Sequence, residues 1–166
     1  MILFKPEHVL PILRGDKDET RREWPKGPRV VVGALHQCRT RMLQKNTTFA
    51  VVRIDALRRE ELREITDEGA RHEGYESRET YFEVYGRIYS DVKQHDHRLV
   101  YVVRFTAVKV PCLICDGSKT VCRPGGTPEP CWHCDDEGFV DLTEERRAGA
   151  IERRRRDTMR VLGSYQ

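Results

Sequence analysis

Apolar and polar positions change their period several times along this chain, and the changes mark its elements. Ile2-Leu3-Phe4 is a short unbroken apolar run that predicts a buried strand. Pro6 suits the first turn of a helix reaching Leu13, with Gly15 just past its end; Pro11 inside that pattern predicts a kink or an early stop. Two β-rich runs follow, 29–35 around Val30-Val31-Val32 and 49–57, each bounded by Pro, Gly, Asn or Thr. Thr66 and Ser77 predict helix N-caps, with Gly74 between the two helices. The second helix is aromatic, through Tyr81, Phe82, Tyr85 and Tyr89. Residues 99–110 alternate over the longest stretch and predict the longest strand, closed by Pro111. A last helix is predicted over 142–162, with acids in its first turn and a thin apolar stripe of Ala148, Ile151, Thr158 and Leu162.

Strands mixed with short helices, without a βαβ period, predict an α+β chain: a small mixed β-barrel with helices packed outside. Three regions are expected, a barrel over 1–110, a metal-built appendage over 111–141, and a basic helix and tail over 142–166. At 166 residues, with 38% hydrophobic and 34% charged, the core must be modest and the surface crowded with ions. No apolar run approaches the roughly 20 residues that cross a bilayer, and Met1-Ile2-Leu3-Phe4-Lys5-Pro6 is too short for a signal peptide. The expectation is a cytoplasmic chain, away from membranes, with reduced cysteines. The net charge of +3 hides a division. Residues 1–111 carry 21 Lys/Arg against 17 Asp/Glu, 112–141 carry 2 against 6, and 142–166 carry 7 against 4. The acidic middle segment is thus the part least suited to touching phosphate.

That segment holds Cys112-Leu113-Ile114-Cys115 and Cys131-Trp132-His133-Cys134. Two residues between thiols let one tight turn aim both sulfurs at a point, and two such knuckles make the tetrahedral sulfur cage that Zn2+ prefers. One structural Zn2+ ion on Cys112, Cys115, Cys131 and Cys134 is expected. Four protein ligands close the site, leaving no position for catalysis. Cys122 lies between the pairs at a poorer spacing and reads as a spare thiol; Cys38 reads as a small buried hydrophobe without a catalytic role. His133 is expected to point away from the metal, and Trp132 to pack over the knuckle. Cys115-Asp116-Gly117 and Cys134 through Val140 resemble half of the glycine-rich knuckles of the DnaJ central domain, with Lys119 where the first knuckle would have its second glycine.

The segment Gly15-Asp16-Lys17-Asp18-Glu19-Thr20-Arg21-Arg22 reads as a polar loop between a helix and the next strand. Its G-x-K-x-x-T-x-R pattern comes after Phe4-Lys5-Pro6-Glu7-His8. Val32-Gly33-Ala34-Leu35-His36-Gln37 and Ala70-Arg71-His72-Glu73-Gly74-Tyr75 come later. In this order the motifs resemble the ASCH domain family over about residues 1–110, and ASCH domains are similar in fold to PUA domains, compact β-barrels that bind RNA.

The resemblance implies two different jobs. In the first, the barrel binds RNA or a modified nucleoside, with DNA as a further candidate. Lys17, Arg21, Arg22, Arg39 and Arg41 would hold phosphates while a cleft near Glu73 accepts an unstacked base. In the second, Lys17, Thr20 and Glu73 are the triad of an amidohydrolase that removes the acyl group from N4-acetylcytidine. The Thr hydroxyl would be the nucleophile, a desolvated Lys its base, and the Glu an orienting group or proton shuttle. Asp16, Asp18 and Glu19 flank Lys17, and their charge is expected to raise its pKa against that role. Glu73 before Gly74 also fits a surface residue in a last helical turn. A third reading is a scaffold whose zinc segment binds another protein. Arg153-Arg154-Arg155-Arg156 fits a solvated charge run or a backbone grip on nucleic acid. Preferred base and oligomeric state are not written in these motifs.

Overall fold

The computed structural model describes residues 1–42, 47–88, 97–112, 114–115, 117–121 and 126–142. The predicted helix beyond Leu142, its Arg153–Arg156 run, Tyr89 and Cys122 lie outside the described residues. The chain is mixed α+β, with short helices and a six-stranded sheet. Its strands are β1 (Ile2–Leu3), β2 (Glu19–Arg22), β3 (Leu35–Arg39), β4 (Thr48–Glu61), β5 (Leu99–Pro111), β6 (Thr120–Val121), β7 (Glu129–Pro130) and β8 (Phe139–Asp141). The main sheet runs in the order β1-β3-β4-β5-β2, with β8 also on β5; β6 and β7 form a separate pair. Among the described residues no helix is long and apolar enough to cross a membrane.

The chain folds as two compact units, and β4 and β5 each supply a part to both. The first unit comprises Met1–Leu13, His36–Val52 and the described part of Ala107–Gln166. In it β1 runs parallel to β3, with Ile2 opposite Cys38, and the Phe4 and Phe49 rings meet edge to face at 6.2 Å. Lys5 leads into a 3-10 turn at Pro6–His8, which continues as α1 (Val9–Arg14). Pro11 is the third residue of α1. Its missing N–H falls in the first turn, where no intrahelical acceptor exists, so the proline neither ends nor breaks the helix. Cys38 is fully buried, as a small hydrophobe would be.

The second unit comprises Arg14–Leu35 and Arg53–Thr106. Its core gathers Leu62, Ile65, Ala70, Tyr81, Phe82, Tyr85 and Val100, with Tyr75 packed against it. Two helices frame this core, α2 (Asp67–His72) and α3 (Arg78–Ile88). The Thr66 hydroxyl caps α2 by accepting from the Gly69 N–H at 3.1 Å, and the Ser77 hydroxyl accepts from the Thr80 N–H at 3.2 Å, so both predicted caps are in place.

Two expectations fail here. Residues 29–34 form no strand: Ala34 N–H donates to the Val31 carbonyl at 3.1 Å in a turn, and Gly33 has φ +84°. Only Val30 of the three valines is buried, while Val32 is 54% exposed. Two backbone bonds tie the turn to β4, Gly33 N–H to the Ile54 carbonyl and Ile54 N–H to that of Ala34. Conversely, the polar segment expected as a loop becomes strand β2, antiparallel to β5 with Glu19 opposite Arg104 and Arg22 opposite Tyr101. Charged residues usually mark loops, but here Lys17, Asp18, Glu19 and Arg21 each find an opposite charge in the fold.

Since Val32 faces solvent, Val32→Ser is expected to change unfolding free energy by no more than about 0.5 kcal/mol. A loss above about 1.5 kcal/mol in urea titration would restore the strand reading, in which Val30 and Val32 share a buried face.

Candidate functional site

In the second unit two short segments lie side by side. The Asp18 backbone N–H donates to the His72 carbonyl at 3.1 Å, which sets Lys17 beside Glu73 and Asp18 beside His72. Local sequence explains the placement of Glu73. Helix α2 is stopped by Gly74 at φ +84°, with Gly74 N–H donating to the Arg71 carbonyl (2.8 Å) and Tyr75 N–H to that of Ala70 (2.9 Å). This is a Schellman turn, and Glu73 is its C-cap residue. Only a residue without Cβ adopts that φ at little cost.

Glu73 is buried, not the surface residue of the bland expectation. Lys17 Nζ donates to Glu73 Oε2 at 2.5 Å and to the Glu73 carbonyl oxygen at 2.5 Å. Glu73 Oε1 accepts from the Arg21 backbone N–H. Strand β2 ends the sheet path, so the Glu73 carboxylate satisfies an edge N–H where a further strand would otherwise sit. The Arg21 guanidinium is also enclosed. Its Nε donates to Glu60 Oε1 at 2.7 Å, and its Nη1 donates to the Gly69 carbonyl at 3.4 Å. Arg58 grips Glu19 with two bonds, at 2.9 and 3.2 Å. Three cations, Lys17, Arg21 and Arg58, thus meet three carboxylates, Glu19, Glu60 and Glu73, the condition under which charge can be buried at all.

Burial pushes the Lys17 ammonium below its usual range, and the Glu73 carboxylate opposes this in part. The expectation that Asp16, Asp18 and Glu19 would raise it is overturned. Asp18 is turned toward His72 Nδ1 (2.6 Å) and Arg104 Nη2 (3.3 Å), and Glu19 toward Arg58, so desolvation dominates. For Glu19, burial works upward, but the hydrogen bonds and charge of Arg58 outweigh it and hold the carboxyl below its usual value. The Lys17 ammonium also lies 6.0 Å from the centre of the Tyr75 ring.

Thr20 is buried on β2 opposite Val103. Side chains alternate along a strand, so Thr20 leaves on the face opposite to Glu19 and Arg21. Among the described residues its hydroxyl makes no hydrogen bond to Lys17 or Glu73; those two meet each other, and Thr20 is near Lys17 along the chain alone. Arg22 is half-buried at the end of β2. Arg39 and Arg41 belong to the first unit, where Arg39 Nε donates to Thr48 Oγ1 at 2.9 Å and Arg41 is exposed.

A polar cleft of about 330 Å3 opens on the Glu19 and Arg21 face, lined among others by Arg58, Glu60, His72 and Arg104. Arg58, Glu60 and the Asp18–His72 pair were missed from sequence. Arg58-x-Glu60 continues the strand period of β4, and extending the predicted strand past Leu57 would have placed both side chains on one face.

The four cysteines of the first unit form a second centre. Their sulfurs all lie within 4.8 Å of one another, with Cys112 to Cys131 at 3.8 Å and Cys115 to Cys134 at 3.6 Å. A tetrahedral ion with metal–sulfur bonds of about 2.3 Å has sulfur–sulfur edges of about 3.8 Å. A disulfide needs about 2.05 Å. The donor set therefore fits one tetrahedral metal ion. The knuckles meet through glycines: Cys112 N–H donates to the Gly138 carbonyl at 2.9 Å, and a Cβ on Gly138 would sit 2.5 Å from the Gly117 carbonyl oxygen. Lys119 adopts φ +69°. This is the left-handed region that glycine enters at little cost and a residue with a Cβ does not. Asp135 organises the second knuckle and was also missed: Oδ1 accepts from the N–H groups of Glu137 (3.0 Å) and Phe139 (2.8 Å), and Oδ2 from Lys109 Nζ (2.7 Å). Trp132 does not pack over the knuckle; it is 72% exposed.

No family model and no curated protein matches the sequence. Solved structures do match in fold. Protein EF3133 from Enterococcus faecalis V583 is 12% identical over 61% of this chain and 67% of its own, with a TM-score of 0.50. An ASCH domain from Lactobacillus crispatus JV V101 is 15% identical over 60% and 69%, with a TM-score of 0.49. ASCH from Zymomonas mobilis is 13% identical over 90% of each chain, with a TM-score of 0.45. Two of these three are thus ASCH domain structures, and at such identities the likeness concerns fold alone.

Lys17→Met leaves the buried Glu73 carboxylate with the more distant Arg21 guanidinium (3.7 Å) in place of the Lys17 ammonium and is expected to lose about 3 kcal/mol of unfolding free energy. Adding Glu73→Gln, which keeps an acceptor for the Arg21 N–H, should recover most of it. Equal losses in the single and double variants would contradict the pairing. At the cysteine centre, Gly138→Ala is expected to weaken metal retention in a chelator competition. Lys119→Gly should strengthen it by about 1 kcal/mol, through relief of left-handed strain. Two unchanged midpoints would show that the glycine contact does not shape the centre.

Proposed function

We propose that this chain binds RNA or a modified nucleoside at residues 15–22 and the adjoining cleft, and that its four cysteines hold one structural zinc ion. The observation carrying the reading is the buried Lys17–Glu73–Arg21 arrangement beside an open polar cleft. A buried lysine whose pKa is lowered by desolvation, next to a concave site, is a functional signal more than a stabilising one. The cleft is at the small end of ligand-site volumes, the size class of a nucleoside. In this reading Lys17 and Glu73 brace Arg21 from beneath, and Arg21 with Glu19 lines the cleft. Arg58 and Arg104, whose side chains are 46% and 49% exposed and also pair with Glu19 and Asp18, would offer their remaining N–H groups at the mouth to a base edge or phosphate. Arg22, Arg39 and Arg41 are proposed as further phosphate contacts. The zinc ion is closed off by four thiolates and would serve folding rather than reaction.

One observation favours a second reading, hydrolysis of an N4-acylated cytidine by Lys17, Thr20 and Glu73. Desolvation lowers the Lys17 pKa, which suits a general base. The Thr20 hydroxyl would have to turn or recruit a water to reach that amine.

The test pairs two measurements on the zinc-loaded chain: titration of a labelled single-stranded RNA, and release of cytidine from N4-acetylcytidine. Binding that weakens about tenfold or more in Arg58→Ala/Arg104→Ala, without cytidine release, is the expected result. Cytidine release abolished by Lys17→Ala and by Thr20→Val would replace the binding reading with the hydrolase. Neither binding nor release would overturn both.

A further inference from the structure

We infer that the second cysteine knuckle is a docking surface for a basic, arginine-rich peptide segment, with Trp132 as its anchor. Trp132 lies between two of the clustered cysteines, Cys131 and Cys134, so its backbone is held by the same turn that aims the sulfurs. Yet its side chain is 72% exposed. Tryptophan is usually well buried, and a rigidly presented, solvent-facing indole is the kind of residue that dominates interface energetics. The charge around it selects the partner. Glu129 precedes it on exposed β7, and Asp136, Glu137 and Asp141 follow it, all exposed. Lys109 on β5 is occupied by Asp135 at 2.7 Å, and among the described residues of 112–141 Lys119, whose carbonyl accepts from the Cys131 N–H, is the one Lys or Arg set against these acids. Four thiolates around a divalent ion would add two further negative charges. Indole faces attract guanidinium groups most strongly of all aromatic side chains, and neighbouring carboxylates pair with the same groups in fork geometry. The same field repels a phosphate backbone, so base stacking on Trp132 is the disfavoured occupant. This inference concerns the first unit and stands independently of the RNA reading of the second.

The experiment uses the full zinc-loaded chain carrying Trp24→Phe, which leaves Trp132 as the sole tryptophan. A short Arg-Gly repeat peptide, a Glu-Gly repeat of equal length and an oligouridine are titrated while indole fluorescence is followed. The expected result is a saturable change with the Arg-Gly peptide alone. It should weaken about tenfold in Asp136→Asn/Glu137→Gln, and as salt is raised. A parallel titration with an end-labelled peptide, read by anisotropy, should lose binding in Trp132→Ala while that variant still retains its metal. No response to the Arg-Gly peptide overturns the proposal. So does an equal or stronger response to oligouridine, or anisotropy binding unchanged by Trp132→Ala.

Discussion

Charge taken out of water must be matched atom by atom, and the second unit is built around that constraint. Lys17 and Arg21 are nearly inaccessible, and an isolated buried cation would cost several kcal/mol. The fold keeps both by bringing α2 and β2 together so that one carboxylate, Glu73, meets the Lys17 ammonium and the Arg21 backbone N–H at once. The rest of the arrangement follows from that demand. Gly74 must take a left-handed turn for Glu73 to sit there, Thr66 must start the helix at the right register, and β4 must run on far enough for Arg58 and Glu60 to neutralise Glu19 and Arg21. With Lys17, Glu19, Arg21, Glu60 and Glu73 all paired, the geometry around them is stiff. A ligand in the adjoining cleft would meet fixed dipoles rather than groups that must reorganise.

Much of this was legible in the chain, for identifiable reasons. Caps and turns are local chemistry, so Thr66, Ser77 and Gly74 could be read without neighbours. The long alternation of β5 is a property of one segment and was found almost to the residue. The failures are all tertiary. Val30-Val31-Val32 has strong β propensity, but Gly33 and the backbone bonds to Ile54 make a turn of it, and packing leaves Val32 in water. The segment Gly15–Arg22 looks like a solvated loop because the partners that permit its burial lie some forty to fifty residues away. The Lys17 pKa was misjudged for the same cause. Sequence neighbours Asp16, Asp18 and Glu19 are near in number, but Asp18 and Glu19 turn to other partners and burial decides the sign.

The cysteine centre is the opposite case. Its ligands are spaced so regularly that the cluster was visible at once, and the sulfur distances agree with it. What spacing cannot convey is how two knuckles approach each other. Gly117 and Gly138 pass with no room for a methyl group, Lys119 accepts a glycine's conformation, and Asp135 ties the turn back to Lys109 on β5. Trp132 shows the limit of analogy from composition, since an aromatic in a small metal module is ordinarily packing material and here it faces solvent.

In the proposed function the ligand rests on the Glu19 and Arg21 face of β2, in the cleft that Arg58, His72 and Arg104 also line. The most direct test is amide chemical-shift mapping of the isotope-labelled, metal-loaded chain, titrated with a short single-stranded RNA and with N4-acetylcytidine. The account predicts that the largest shifts fall on Lys17 to Arg22, His72 to Gly74, and the cleft-lining ends of β4 and β5. Shifts concentrated elsewhere, with those amides unmoved at saturation, would contradict it.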